Sequence, residues 1–252
     1  MQILRELLDN LTRDQTVTAG RIGPHLIAMA SWRLGLAANL HSPEHVGPSF
    51  SMVELEDLVG RSARDLAGWS LQEDRLQAGI GMAALNSLLE VNLNTLVEGN
   101  AKEIVFHKAA GKNLAVVGHF PFVEQLRTRV RSLWVMEERP GPGDLSEEEG
   151  YRMLGKADVV AITGSSLINH TFERIMASCQ PDSFKIMLGP STPLSPILLD
   201  FGLDAIGGTL VEEEKIVLAM VEQGVSFRQL KGIRTFLMTK ESLSRSANGT
   251  GH

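Results

Sequence analysis

Five short apolar runs recur through the second half of the chain, at residues 113–118 (NLAVVG), 133–137 (LWVME), 157–163 (ADVVAIT), 184–189 (FKIMLG) and 203–208 (LDAIGG). They are nearly continuous in apolar residues and lack polar alternation, as expected of strands buried on both faces of a parallel sheet. Parallel neighbours need long crossovers, and helical patterns fill the gaps at 122–130, 146–155, 167–179 and 211–224, with a short one at 195–202. The run SEEE at 146–149 reads as a helix start, with a hydroxyl cap and an acidic first turn. The pattern predicts a doubly wound α/β sheet with right-handed crossovers.

The first 110 residues follow another rhythm. Ile3, Leu4, Leu7, Leu8 and Leu11 recur at helical spacing. Three extended runs at 16–23, 25–31 and 34–40, broken at Gly23-Pro24 and Trp32-Arg33, predict a small antiparallel meander. Helical patterns follow at 54–60, 62–68 and 74–91, the last with Gly79, Ala83, Asn86 and Glu90 along one small or polar face suited to close packing. The polar tail 241–252 is expected to be disordered.

Composition narrows the partners. A chain of 252 residues with 43% hydrophobic and 21% charged content is globular and has length for a substantial core. Its net charge of −6, without any Lys/Arg cluster longer than two, argues against nucleic acid and membrane surfaces as partners. The single cysteine, Cys179, excludes an intrachain disulfide and a thiolate-rich zinc site, so a reducing cytoplasm is the expected location. Residues 1–14 carry charges throughout, unlike a signal peptide, and no run approaches the roughly 18 to 20 apolar residues that span a bilayer. A homodimer is the expected oligomer on frequency alone.

Chemistry in an open parallel sheet gathers outside the carboxyl ends of its strands. The segments there are 118–122 (GHFPF), 137–144 (EERPGPGD), 163–171 (TGSSLINHT), 189–196 (GPSTPLSP) and 207–209 (GGT), all rich in backbone-shaping or hydrogen-bonding residues. The opposite connections, 154–158, 180–183 and 200–203, read as ordinary turns. Gly118 stands alone where a dinucleotide fold carries G-x-G-x-x-G. Glu137 ends the second strand, where nucleotide-binding sheets hold a ribose hydroxyl, with Glu138 beside it as a competitor. Thr163-Gly164-Ser165-Ser166 either presents backbone N–H groups to an anion or simply caps a helix. Of Asn169 and His170, one can face a ligand there. His119 is a ligand candidate or a surface histidine, and neither it nor His170 has a second histidine at metal-ligating spacing. There is no G-x-S-x-G elbow, and Cys179 reads as a core residue. The proline-rich corner 188–196 reads as a stiff wall turning the hydroxyls of Ser191 and Thr192 to the ligand.

Taken together, and in this order and spacing, the segments at 118–122, 137–144, 163–171 and 189–196 resemble the bacterial and archaeal heavy-metal chelation domain family. The resemblance extends over about residues 1–240. It implies a small α+β domain over 1–105, similar to the N-terminal domain of enolase, followed by a Rossmann-like doubly wound parallel sheet over 106–240, with a cleft between them. The ligand-binding positions it implies are Gly118, His119, Phe120, Glu137, Asp144, Thr163, Gly164, Asn169, Gly189, Pro190, Ser191 and Thr192, with Pro140, Gly141, Thr171 and Pro193 at further motif positions. The implied ligand is a small polar molecule, a heavy-metal ion or a metal chelate. An enzyme using a nucleotide-type cofactor such as S-adenosylmethionine, held by Gly118 and Glu137, is the alternative.

Overall fold

The computed structural model describes residues 1–41 and 57–248. After helix α1 (Gln2–Asp9), strands β1 (Ala19–Ile22), β2 (Leu26–Ala30) and β3 (Leu34–Ala38) form the expected antiparallel meander. Helices α2 (Ala63–Ala67) and α3 (Arg75–Leu88) follow, capped by the Ser62 hydroxyl on the Asp65 N–H and the Asp74 carboxylate on the Gln77 N–H. The candidate helix at 54–60 begins outside the described residues; its described part, 57–60, is a turn that buries Leu58.

The second half forms the parallel sheet. Strands β5 (Asn113–Val117), β6 (Ser132–Met136), β7 (Val159–Thr163), β8 (Phe184–Leu188) and β9 (Ala205–Val211) match the five apolar runs. Between them lie α5 (Val123–Leu126), α6 (Glu147–Leu154), α7 (Phe172–Ser178) and α8 (Ile197–Asp200). Ser146 and Glu149 close a capping box at the start of α6, as the SEEE run implied.

The structure adds to this frame. A two-residue strand β4 (Val97–Glu98), helix α4 (Ala101–Ala109), helix α9 (Glu214–Glu222) and strand β10 (Ile233–Thr239) bring the sheet to seven strands in the order β4-β10-β9-β8-β7-β5-β6. Strand β10 runs antiparallel to both its neighbours. The larger sheet's elements therefore begin at Val97, before residue 106. Two of the helices are shorter than their patterns: α5 stops at Leu126, and α7 starts at Phe172 after a separate 3-10 turn, Gly164–Leu167. The tail expected to lack structure from 241 instead continues as α10 (Lys240–Asn248), while 249–252 lie outside the described residues. Among the described residues no helix is long and apolar enough to cross a membrane.

Side chains alternate across the sheet with period two. Val116 pairs with Val135 and Ala161, and Ala161 with Ile186, a row that packs under α4 and α5. The next row, Val117, Ile162, Met187 and Ile206, joins the opposite core with Leu154 of α6, Ile175 of α7 and Leu198 of α8. Burial on both faces, about 1.5–3 kcal/mol for each fully buried large aliphatic side chain, explains why these strands read as unbroken apolar runs. The meander is likewise buried on both faces. Ile27 and Met29 share a core with α3, and Leu26, Ala28, Leu34 and Leu36 face Val217 and Val221 of α9.

Candidate functional site

The parallel strands lie in the order 2-1-3-4-5 of a doubly wound sheet, with β5 as the first, so the chain reverses direction of winding between β5 and β7. Loops at such a switch point diverge to opposite faces and leave a crevice at the carboxyl edge. Here that crevice is two recesses separated by the segment after β5, and His119 and Thr163 line both.

The first recess, a cleft of about 290 Å³, is lined by Gly118, His119, Glu137, Thr163, Ser165, Asn169 and Tyr151, with Leu40 beyond the meander closing one side. Gly118 makes the turn out of β5 at φ +95°, and a Cβ there would lie 2.9 Å from Cβ and Cγ2 of Thr163. Only glycine meets both demands. Glu137 is half-buried, and burial pushes its carboxyl above the usual carboxylate range, against a backbone N–H from Glu138 at 3.2 Å and the nearby His119, which favour the ionised form. Its acidic neighbours are occupied. Glu138 is exposed and takes a two-pronged ion pair from Arg75 of α3, with one Nη1–Oε2 distance of 3.0 Å. Glu147 pairs with Arg174 at 2.7 Å, and that guanidinium lies 3.9 Å over the Tyr151 ring.

Thr163 is itself the cap: its hydroxyl accepts from the Ser165 N–H at 3.3 Å, while the Ser166 hydroxyl donates to the Thr163 carbonyl at 2.7 Å. Asn169 faces the cleft with its Oδ1 bound by the Thr171 hydroxyl at 2.7 Å, and His170, at φ +59°, turns away so that Nε2 meets the Ser70 carbonyl at 2.8 Å.

The second recess, of about 580 Å³, collects Phe120, Gly189 and Pro190 along with residues the sequence reading passed over, among them Asn100, Arg228 and Phe236. Four positions lie in neither. Asp144 folds back to accept from the Gly141 N–H at 2.9 Å. Gly164 provides room for the proline-rich corner, since a Cβ there would lie 2.6 Å from Thr192 Oγ1. Ser191 is fully buried, and its hydroxyl accepts from the Ala38 N–H of β3 at 2.8 Å instead of facing a ligand. Thr192 is buried with Oγ1 unpartnered among the described residues. The corner is thus a clamp between the sheet and the meander, reinforced by Asn86 Nδ2, which donates to the Leu36 carbonyl at 2.9 Å. Among the described residues no three His, Cys, Asp or Glu side chains gather as a metal-ligating group. Cys179 is partly buried, its thiol pushed up to about 11 by burial.

A family model described as Putative heavy-metal chelation matches residues 100–239, more than half of the chain, and a second model of the same description matches residues 4–89. The chain belongs to the family that these models describe. An uncharacterized protein of Methanocaldococcus jannaschii is 29% identical over 153 residues, 58% of this chain and 59% of that protein, so the match spans under two thirds of the relative's length. Two solved structures of this family share the fold. One, from Desulfitobacterium hafniense, is 22% identical with a TM-score of 0.78, covering 95% of this chain and 97% of that one. The other, from Pyrococcus horikoshii, is 18% identical with a TM-score of 0.79, covering 94% and 98%.

Of the cleft residues, Tyr151 and Glu147 were not read as site residues from the sequence. Tyr151 is the chain's only tyrosine and lies on a helix with an amphipathic pattern, which was the available signal.

Because the folded state holds Glu137 protonated to a higher pH than the unfolded chain does, stability falls as pH rises from about 4.3, the ordinary glutamate value, through the raised pKa. Glu137→Gln removes this penalty. The melting-temperature difference between variant and parent is expected to be near zero below that window and to grow in the variant's favour across it. A flat difference between pH 3 and 8 would show that burial does not burden Glu137.

Proposed function

We propose that the cleft beside Glu137 binds a small polar ligand that carries metal donors of its own, a chelator or its metal complex. One observation carries the reading: Glu137 is a half-buried carboxylate without an Arg or Lys partner among the described residues, facing a cleft at the switch point. A carboxylate kept from water gains by meeting a cation or a strong hydrogen-bond donor. The donor set bears on what arrives. Glu137 and His119 are two donors, and Glu138 and Glu147 are spent on arginines. Two are short of the four of a closed structural site, so a metal ion fits here as cargo that retains other ligands, such as a chelator's carboxylates or waters.

Thermal-shift and calorimetric titration with a divalent transition metal, with citrate, and with the metal–citrate complex tests this. At 100 times its dissociation constant the complex should add about 2.7 kcal/mol of stability. That corresponds to a melting shift of roughly 5–10 °C for a chain of this size. Glu137→Gln should weaken its binding at least about tenfold, or 1.4 kcal/mol. Absence of stabilisation by any of the three ligands would sink the reading.

A second reading has one observation in its favour: Gly118 after β5 and Glu137 after β6 flank the same cleft, the positions where doubly wound sheets hold a nucleotide and its ribose. A panel including S-adenosylmethionine and nicotinamide dinucleotides separates the two. Tight binding of one member, lost in Glu137→Gln, would favour the cofactor.

A further inference from the structure

The recess on the other side of the His119 segment has a chemistry unlike that of the cleft; the family resemblance counts Phe120, Gly189 and Pro190 among its ligand-binding positions but gives them no site of their own. Its volume, about 580 Å³, falls within the roughly 300–1,000 Å³ of small-molecule sites. Four of the nine phenylalanines line it: Phe120, Phe122, Phe227 and Phe236. In a chain with 5% aromatic residues that concentration points to a ring-accepting surface. Phe120 and Phe122 stack within 12° of parallel at 5.4 Å, and Phe122 is braced from behind by Phe106 at 6.1 Å, so the wall is held in one orientation. Gly207 and Gly208 of β9 also line it; Cβ atoms there would lie 2.3 Å from Ala101 Cβ and 2.6 Å from Leu194 Cγ, so the strand brings backbone and no side chains to the recess.

The charge of the lining narrows the ligand further. Among the described residues no carboxylate lines this recess, although acidic residues outnumber basic ones in the chain by 30 to 24. At its rim Arg228 is exposed and has no ion pair among the described residues, whereas Arg234 nearby in sequence is shared between Glu98 and Glu212. An aromatic wall with an uncommitted guanidinium at its edge matches a flat ring that carries an anionic group, because the ring stacks offset or edge-on against phenyl faces while its carboxylate takes both prongs of the arginine.

We propose that this recess is a second ligand site, and that it takes planar aromatic acids. The assignment is independent of what the cleft beside Glu137 binds, since the probes that test it carry neither metal nor nucleotide.

The test is calorimetric titration of the full chain with 2-naphthoate, 2-naphthalenemethanol and cyclohexaneacetate. The parent should bind 2-naphthoate at least tenfold more tightly than either of the others, since only it has both the flat ring and the charge. Arg228→Gln should weaken 2-naphthoate about tenfold and leave 2-naphthalenemethanol unchanged, with an unaltered melting temperature because the side chain is exposed. Phe120→Leu should narrow the gap between 2-naphthoate and cyclohexaneacetate. Arg152→Gln, an exposed arginine outside both recesses, controls for general charge and should change nothing. The proposal is overturned if no probe binds, if cyclohexaneacetate binds as well as 2-naphthoate, or if Arg228→Gln binds 2-naphthoate as tightly as the parent.

Discussion

Replacing Gly118 by alanine is expected to lower the melting temperature by about 10 °C and to weaken ligands in both recesses together. Two costs add. At φ +95° a side chain sits in the left-handed region, which costs about 1–2 kcal/mol. The new Cβ would also lie 2.9 Å from two carbons of Thr163, and crowding of this kind costs about 1–3 kcal/mol. A total of about 2–5 kcal/mol converts to that shift at 2–4 °C per kcal/mol. Because Thr163 lines both recesses, relief of the contact by moving it disturbs both. Calorimetric melting checks the first part; a shift below 2 °C would show that the turn has slack.

The proline-rich corner yields the second large effect, as a contrast between neighbours. Ser191→Ala removes the acceptor of the half-buried Ala38 N–H, and orphaning such a donor costs about 1 kcal/mol, the low end of the range for buried groups. Thr192→Val removes a hydroxyl that has no partner among the described residues, so that change should be neutral or slightly stabilising. Urea denaturation of the two variants reads the difference directly. If Thr192→Val proves the more damaging, its hydroxyl has a partner, such as a buried water, that the packing conceals.

That contrast also marks how far the sequence could be read. Strands β5 to β9 were legible because burial on both faces demands apolar residues at every position. Strand β4, two exposed residues long, offers no pattern, and β10 (IRTFLMT) is half-buried at most positions, with only Phe236 and Met238 buried, so it reads as a strand only once an edge is known to follow β9. The carboxyl-edge loops were legible as a set, since topology alone gathers them. Which way each side chain turns was not. Ser191 and Thr192 have the composition of ligand-binding residues, yet the meander takes up the Ser191 hydroxyl from about 150 positions away in sequence, and Gly164 makes room for Thr192. Phe227, Arg228 and Phe236 were missed for a related reason, because they enter through the antiparallel edge and not through a crossover loop.

The closing of the meander by α9 has a consequence for how the protein is made. Leu26, Ala28, Leu34 and Leu36 have left the ribosome long before Val217 and Val221 are synthesised, and chains emerge at about 5–20 residues per second. For roughly ten seconds or more the nascent meander has one apolar face with nothing to cover it. Chains that stall or are cut before α9 keep that face open, so products ending before Glu214 are expected to aggregate more readily than the full chain.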